Sequence, residues 1–145
     1  THRSKKWFLV AYSPYNEEFR HYQLHFIKDV EIDTDDRNIF EPDKDFNLDS
    51  FYRNAFKVFR NDSETRLFKI KFSKDASDFP ETYVYHPAQK MEIIPGGSVI
   101  LSLEADSIEE IVNWAFGHGE NVEVLEPKEA RQRFKEKIKK LKKIY

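Results

Sequence analysis

Histidines and carboxylates are the side chains of this 145-residue sequence that could bind a metal ion or move a proton, because the chain has no cysteine. Without thiols there are no disulfides, thiolate metal sites or cysteine nucleophiles. His21 and His25 share one face of a predicted strand, but four residues at ~3.3 Å each place them roughly 13 Å apart, too far to hold one ion. Five further carboxylates fall in a polar connection where nothing desolvates them: Asp29, Glu31, Asp33, Asp35 and Asp36. We therefore expect no metal site and no cofactor.

The motifs of the common enzyme classes are absent. The sequence contains no phosphate loop, no nucleophile elbow and no HExxH zinc helix. Gly117-His118-Gly119 precedes a predicted strand and does not follow one, so it indicates the end of a helix and not a dinucleotide loop. A hydrolase or transferase is the weakest hypothesis, because nothing supplies a nucleophile with a positioned base. We predict that the chain is not an enzyme.

Aromatic rings beside one arginine are the remaining candidates for binding chemistry. Rings stack on nucleobases with little sequence preference, and an arginine beside them adds a cation. Five aromatic residues could stack on bases, especially those beside Arg20: Trp7, Tyr12, Tyr22, Tyr83 and Tyr85. Aromatic residues of a sheet more often pack into a core. Both interpretations stay open at this point.

The first part of the sequence predicts a β-hairpin and a polar connection. Lys6–Tyr12 is rich in aromatic and aliphatic residues and ends at a turn of Ser, Pro and Asn. Phe19–Ile27 then alternates, which predicts the second strand. Residues 29–44 are acidic, lack apolar periodicity and predict an extended connection. A short helix follows near Ser50–Phe56, and Asn61–Ser63 is the predicted boundary.

The second part predicts strands and helices in the βαββαβ order of ferredoxin-like domains, followed by one more helix. These elements are a strand at Leu67–Phe72, a helical turn at Lys74–Phe79 stopped by Pro80, an extended stretch at Tyr83–Ile94, a strand at Val99–Leu103, a helix from Ser107 to Gly117 or Gly119, a strand at Val122–Leu125 and a helix after Pro127. Gly96 and Gly97 favour a tight turn, since glycine accepts positive φ.

Two helices have clear sequence signals. Ser107 and Glu110 have the spacing of a capping box at a helix start. The apolar stripe of that helix consists of Ile108, Ile111, Val112 and Ala115. The final helix repeats apolar residues at helical spacing, namely at Ala130, Phe134, Ile138, Leu141 and Tyr145.

Charge is distributed unevenly along the chain. Residues 128–145 carry nine Lys or Arg and two Glu, a local charge of +7, and the remainder carries −9. Either a basic arm reaches an acidic partner, or the basic helix lies against the chain's own acidic body. We favour the second interpretation, because surface charge bias is common. The longest apolar run, Trp7–Tyr12, is far below the ~20 residues that span a bilayer, so we expect a soluble, cytoplasmic protein.

Several of these residues together carry a family resemblance. Trp7–Tyr12, a turn and Arg20–Ile27 resemble the second half of a WYL domain, in which a Trp-Tyr-Leu strand leads into a hairpin partner of the form R-x-F-R-L-D-R-I. The remainder resembles the C-terminal extension domain of WYL-domain transcription regulators. It matches in order and spacing at Phe72-Ser73, Tyr85–Gln89, Gly97, Trp114, Phe116-Gly117, Val122–Pro127 and the last basic helix. Phe46–Asp49, with the short helix after it, resembles the segment that connects the two domains in that family.

The resemblance implies an α+β architecture: a partial Sm-like (SH3-like) β-barrel hairpin, then a ferredoxin-like βαββαβ domain with an extra C-terminal helix. It implies the end of a WYL domain over residues 1–45, a helical linker over 46–64 and the extension domain over 65–145. Similar regulators are usually homodimers and bind DNA through an N-terminal helix-turn-helix, which this sequence lacks. Their WYL domain is associated with a nucleic-acid or nucleotide-like effector.

Carried over residue by residue, the resemblance makes six residues the ligand-binding candidates: Trp7, Phe8, Arg20, Tyr22, Gln23 and His25. Phe8 replaces the Tyr of the family motif and loses a hydroxyl. Gln23 and Phe26 stand where the family has arginines, and His25 stands where it has an aspartate. Two of three cations are therefore missing, which weakens phosphate binding.

Two functions follow as hypotheses from different classes. In the first, the chain is the ligand-sensing and dimerisation region of a bacterial DNA-binding transcription regulator. In the second, it is a protein–protein assembly module without a ligand, in which the apolar and basic residues of the last helix drive association. The missing cations favour the second hypothesis, and the ordered family resemblance favours the first.

Overall fold

The computed structural model of the chain describes residues 1–3, 5–35, 41, 43–56 and 64–145. The chain divides into two compact units, Thr1–Leu48, here called the hairpin unit, and Asp49–Tyr145, here called the sheet unit. Strands and helices are both present, so the predicted α+β class is confirmed. The predicted boundary at Asn61–Ser63 lies outside the described residues, and the division into three parts stays a prediction.

The hairpin unit contains one antiparallel sheet of three strands in the order β1-β2-β3. The strands are β1 (His2–Arg3), β2 (Lys6–Ser13) and β3 (Glu18–Gln23). The pairing of β2 with β3 runs from Phe8 opposite Gln23 to Ser13 opposite Glu18. The predicted hairpin is therefore present, and β1 is a strand in addition to those predicted. The assignment to an Sm-like barrel stays a prediction.

The second hairpin strand is shorter than predicted. Instead of continuing to Ile27, the chain leaves the sheet after Gln23 and forms a 3₁₀ turn at Leu24–Phe26. The Ile27 N–H closes this turn by donating to the Leu24 carbonyl at 3.0 Å. The alternation of the sequence continues to Ile27, but the pairing of β3 with β2 ends at Gln23. A strand requires that pairing as well as the alternation.

The sheet unit contains a four-stranded antiparallel sheet in the order β5-β6-β4-β7. Its strands are β4 (Arg66–Phe72), β5 (Lys90–Ile93), β6 (Val99–Ala105) and β7 (Val122–Glu126). Helix α1 (Leu48–Phe51) lies at the junction with the hairpin unit, and the remaining helices are α2 (Asp78–Thr82), α3 (Ile108–Phe116) and α4 (Lys128–Lys142). From β4 to β7 the order is βαββαβ, as predicted, and α4 is the additional helix.

The core of the sheet unit lies between one face of this sheet and helices α3 and α4. Phe68, Ile70 and Phe72 of β4 have no exposed surface, as their alternation predicts. All four residues of the predicted α3 stripe are buried in the same cluster. Phe134 of α4 reaches this core and meets Phe116 edge-on at 5.7 Å. Ile138 and Leu141 remain about half exposed, so only the first half of the predicted α4 stripe is buried.

A helix cap and a tight turn that the sequence predicts are both present. The Ser107 hydroxyl accepts a hydrogen bond from the Glu110 N–H at 3.3 Å and caps α3. Gly96 and Gly97 have φ of 96° and 81° in the turn between β5 and β6. A Cβ on Gly97 would lie 3.3 Å from Cγ of Lys74, so both conformation and space favour glycine there.

Three further predicted elements differ in their bounds from those of the structure. The helical turn predicted at Lys74–Phe79 is present as a 3₁₀ turn at Lys74–Ala76. Pro80 does not stop a helix; it lies buried in the first turn of α2, where a missing N–H leaves no helical bond unmade. The helix predicted at Ser50–Phe56 is α1, which begins two residues earlier and already ends at Phe51. It is followed by turns closed by hydrogen bonds such as that from the Ala55 N–H to the Tyr52 carbonyl. Most of the extended stretch predicted at Tyr83–Ile94 is a braced loop, and only Lys90–Ile93 is a strand.

Candidate functional site

The register of β2 and β3 sorts the predicted ligand-binding residues onto two faces of the hairpin. Directly opposite residues of an antiparallel pair share a face. Leu9 is opposite Tyr22, and Ala11 is opposite Arg20. With Trp7, which alternates with Leu9, these residues form one surface, here called the aromatic face. Three of the six candidates therefore lie together.

The aromatic face is open to solvent. The side chain of Trp7 is 61% exposed and that of Tyr22 is 39% exposed, with Leu9 also exposed between them. Large apolar side chains that remain exposed side by side are typical of a contact surface. The face combines two rings, one aliphatic side chain and one cation.

Arg20 supplies the cation of this face. Its Nε donates to Oε1 of Glu18 at 2.7 Å, and both side chains are about half exposed. An exposed pair of this kind adds little to stability. Since a guanidinium has five N–H donors, most remain free of protein acceptors within the described part of the chain. The residue opposite Arg20 is the small Ala11.

The other face of the hairpin holds a small internal cluster. Phe8 is 6% exposed and meets the His21 ring edge-on at 5.7 Å. Phe19 meets Tyr12 edge-on at 5.5 Å and stacks on Phe46 at 4.2 Å. Phe8 therefore supports the sheet from the face opposite the aromatic face.

Gln23 and His25, the last two predicted candidates, interact with each other. Gln23 is opposite Phe8 and so belongs to the face of the internal cluster. His25 lies in the 3₁₀ turn, where its ring contacts the Gln23 amide and the Phe26 ring. The structure thus brings Trp7, Arg20 and Tyr22 together and places Phe8, Gln23 and His25 elsewhere. Among the described residues, no group of three metal-ligating side chains is present.

The loop before β5 matches the family motif at Tyr85–Gln89 and is braced by its own side chains. The Gln89 side-chain oxygen accepts hydrogen bonds from the N–H groups of Tyr85 at 2.7 Å and His86 at 3.2 Å. The Ala88 N–H donates to Nδ1 of buried His86 at 3.2 Å, and Nε2 of His86 donates to the Arg53 carbonyl at 3.1 Å. Both ring nitrogens are used, so His86 stabilises the loop.

An aromatic cluster at the end of α3 was not foreseen. The His118 ring lies 5.1 Å from the Trp114 ring and 5.5 Å from the rings of both Phe72 and Phe79. The i,i+4 spacing of Trp114 and His118 is the sequence signal that would have found it. The cluster extends to Tyr85, whose ring lies 4.7 Å from Trp114.

Tyr83 and Tyr85 were also candidates for stacking. Burial raises the pKa of the Tyr85 hydroxyl above its ordinary value of 10.0, and the nearby Tyr83 adds to the shift. Tyr85 packs against the core of the sheet unit. It is therefore better described as a packing residue than as an open stacking platform.

Helix α4 lies partly on the chain's own acidic side chains. Arg131 pairs with Glu123 at 2.7 Å, and Arg133 and Lys137 pair with Glu109 at 3.6 and 3.5 Å. These ion pairs occupy the first and middle turns of the helix. In the part of the chain that the structure describes, the lysines of the last two turns, Lys139, Lys140 and Lys142, form no ion pair. No helix among the described residues is long and apolar enough to cross a membrane.

Comparison with known proteins identifies one family. The model of the WCX domain, a WYL-associated C-terminal domain, matches residues 64–142. No curated protein matches the chain. A solved structure to which it is similar is proteasome accessory factor B/C (PafBC) of Arthrobacter aurescens, at 18% identity and a TM-score of 0.40. That similarity covers 89% of this chain but 19% of PafBC, so the chain spans about a fifth of that protein's length.

Proposed function

The chain belongs to the WCX domain family, and from that premise we propose that it is the ligand-sensing and dimerisation region of a bacterial DNA-binding transcription regulator. The family match supports the regulatory role. The ligand is nucleic acid or nucleotide-like, and DNA reading belongs to a helix-turn-helix domain outside these 145 residues. The chain itself performs no catalysis and acts in the cytoplasm as a homodimer. Residues 1–45 are the end of a WYL domain of Sm-like fold, and the domain after the linker is ferredoxin-like.

The observation that carries the ligand assignment is the open aromatic face of the hairpin unit. Trp7 and Tyr22 offer ring surfaces on which bases stack, at roughly 1–3 kcal/mol per base. Arg20 lies on the same face with N–H donors available for a phosphate or a base edge. Two rings and a cation on one sheet face are the elements that single-stranded nucleic acid requires.

The distribution of charge limits the ligand to a short one. Among the side chains that the structure describes in β2 and β3, Arg20 is the one cation on the aromatic face, since Gln23 lies on the opposite face and Phe26 lies in the 3₁₀ turn. With about one phosphate contact, the logarithm of affinity falls by only ~0.7 per tenfold increase in salt. Stacking therefore provides most of the binding free energy in this proposal.

Sensing requires that the ligand bind two states of the regulator unequally. Phe8 and His21 pack directly behind the aromatic face, so a ligand that reorients Trp7 or Tyr22 presses on this cluster. In this proposal, the packing of the small internal cluster is the first part of the molecule to change when a ligand binds. The expected coupling is a change in the affinity of one copy for another.

Fluorescence anisotropy with a labelled oligothymidine of about ten nucleotides tests the proposal, with mononucleotides as competitors. Tyr22→Ala should weaken binding about tenfold or more, because it removes one stacking platform. Arg20→Gln should weaken binding and flatten the salt dependence by ~0.7. Tyr15→Ala is the matched control, since Tyr15 is an exposed ring in the turn between β2 and β3. Equal loss in Tyr15→Ala, or no binding of any nucleotide by the wild-type chain, would contradict the ligand assignment.

The second candidate function is an assembly module without a ligand. Its supporting observation is the end of α4, where Ile138 and Leu141 remain half exposed between unpaired lysines. Sedimentation of the chain over a wide concentration range separates the two candidates. Self-association in the absence of nucleotides, together with no anisotropy change on adding them, favours the assembly module. A chain that binds oligothymidine as described above excludes it.

A further inference from the structure

Strand β5 forms an open edge of the four-stranded sheet. Its inner side pairs with β6, and within the described residues no strand pairs with its outer side. All four of its side chains are exposed, with Met91 at 46% and Ile93 at 70%. An open edge offers unmade backbone hydrogen bonds that another strand can complete.

The hairpin turn fixes which backbone groups of β5 point outward. The Ile94 N–H donates to the Ser98 carbonyl at 2.9 Å, which makes that pair a hydrogen-bonded one across β5 and β6. Hydrogen-bonded and non-hydrogen-bonded pairs alternate along an antiparallel ladder. Lys90 and Glu92 therefore bond inward to β6, and the N–H and C=O groups of Met91 and Ile93 point to the open edge.

We propose that β5 pairs with β5 of a second copy of this chain, antiparallel, with Met91 opposite Met91. This joins two four-stranded sheets into one continuous sheet across a two-fold axis. The inference rests on the dimerisation part of the proposed function and identifies the surface that performs it. It needs no ligand.

Backbone geometry restricts the possible registers. An outward-pointing residue must face another outward-pointing residue, so Met91 can lie opposite Met91 or Ile93 of the second copy but not opposite Glu92. One allowed register is therefore converted into the next by sliding the second strand along the first by two residues. Few such registers keep most of a four-residue strand paired.

Charge selects among these registers. With Met91 opposite Met91, each Lys90 lies directly opposite Glu92 of the other copy, giving two cross-strand ion pairs. One step to either side places Glu92 opposite Glu92 or Lys90 opposite Lys90, and like charges in that position are destabilising. Within the described residues, neither Lys90 nor Glu92 takes part in an ion pair of its own chain. The strand is thus complementary to itself in one register.

The other edge strand lacks this complementarity. The charged residues of β7 are all acidic, and Glu123 and Glu126 already pair with Arg131 and Lys69. Self-pairing of β7 would bring carboxylates together. β5 is therefore the edge that favours a second copy, and its short length predicts a weak interface of the small size class.

A charge-swap experiment tests the proposed pairing in the 145-residue chain. Sedimentation equilibrium at low salt should show a weak dimer. Lys90→Glu and Glu92→Lys should each raise the dimer Kd about tenfold, because each turns two attractive pairs into repulsive ones. The double variant carrying both changes restores opposite charges and should return Kd to within about threefold of wild type. The side chains are exposed, so thermal unfolding should confirm that all variants fold.

Cysteine cross-linking tests the register independently, because the native chain contains no cysteine. In the proposed register the two Met91 Cα atoms lie about 5.5 Å apart, within the range that a disulfide spans. Met91→Cys should therefore form a covalent dimer under mild oxidation. Ile93→Cys is the matched control, since the two copies of that residue lie roughly 13 Å apart.

The outcomes separate this inference from the proposed function. A dimer that neither single charge reversal weakens, or faster cross-linking of Ile93→Cys than of Met91→Cys, overturns β5 pairing and leaves dimerisation through another surface. A chain that stays monomeric at all concentrations overturns both β5 pairing and the dimerisation part of the proposed function. The ligand assignment at the aromatic face has its own test, the anisotropy measurement, and does not depend on which surface forms the dimer.

Discussion

The two sheets of the chain differ in how far their large apolar side chains are exposed to solvent. In the sheet unit, Phe68 and Phe72 are fully buried because α3 and α4 cover one face of the sheet. In the hairpin unit, Trp7 and Tyr22 lie on a strand face that stays open. Both sheets are rich in aromatic residues, so aromatic content alone does not distinguish a core from a contact surface. What distinguishes a core from a contact surface is whether a helix covers that face of the sheet.

The difference has consequences for what a substitution does. A residue under a helix contributes chiefly to the free energy of unfolding. A residue on an open face contributes little to folding and remains available for a ligand. Matched substitutions in the two units therefore test whether the contrast is real.

The largest expected effect comes from Phe72→Ala in the sheet unit. Removing a fully buried ring should lower the free energy of unfolding by about 3–5 kcal/mol, through lost burial and the cavity left behind. Trp7→Ala in the hairpin unit should cost less than about 1 kcal/mol, although it removes a larger ring. Urea unfolding followed by circular dichroism measures both. Comparable losses in the two variants would show that Trp7 is also a core residue.

A smaller effect is expected from two histidines that differ in burial, the buried His86 and the exposed His25. His86→Ala should cost roughly 1–3 kcal/mol, because it leaves the Arg53 carbonyl and the Ala88 N–H without partners. His25→Ala in the exposed 3₁₀ turn should cost no more than about 0.5 kcal/mol. The same unfolding assay applies. If His86→Ala proved neutral, the Tyr85–Gln89 loop would not be braced as described.

The helix that covers the sheet should depend on its cap. Ser107→Ala removes the acceptor for the Glu110 N–H and should cost about 1 kcal/mol. Ser102→Ala, on the uncovered side of β6, serves as the control and should be close to neutral. Hydrogen exchange of the α3 amides reports the effect locally. Protection of α3 that is unchanged in Ser107→Ala would mean that packing alone holds the helix.

The smallest effect is a loss of stability at alkaline pH. Since the folded state raises the pKa of Tyr85 above 10.0, it favours the neutral phenol, and this contribution is fully present below pH 10. It is lost as the pH rises through the higher pKa of the folded state. Tyr85→Phe should therefore lose less stability than the wild-type chain as the pH rises above 10. A Tyr15→Phe control should follow the wild-type profile, and a Tyr85→Phe profile that also follows it would contradict the shift.

Local signals in the sequence predicted much of the sheet unit. The alternation of Phe68, Ile70 and Phe72, the Ser107 cap and the glycine turn at Gly96 each depend on near neighbours in the chain, and all are present. Pro80 was misjudged because its position within a helix, not its identity, decides whether it is tolerated. The hydrogen bonds by which the Gln89 side chain stabilises its loop could not be predicted, because they produce no periodic pattern in the sequence.

The candidate site could be predicted only in part. The six residues were chosen by type and by resemblance, but which face each occupies depends on the register of β2 and β3 and on where β3 ends. A shift of one residue in this register would have placed Tyr22 on the same face as Phe8 and Gln23 on the same face as Trp7. The packing of His118 and Trp114 depends likewise on tertiary structure.

Chemical-shift mapping tests the account most directly, because the chain contains two tryptophans in different surroundings. Trp7 lies on the aromatic face, and Trp114 packs beside Tyr85 and His118 in the sheet unit. Titrating short oligothymidine into the ¹⁵N-labelled chain should shift the Trp7 indole signal and the Leu9, Arg20 and Tyr22 amides, and leave the Trp114 indole signal in place. A shift confined to Trp114, or none in either indole, would contradict a ligand surface on the hairpin.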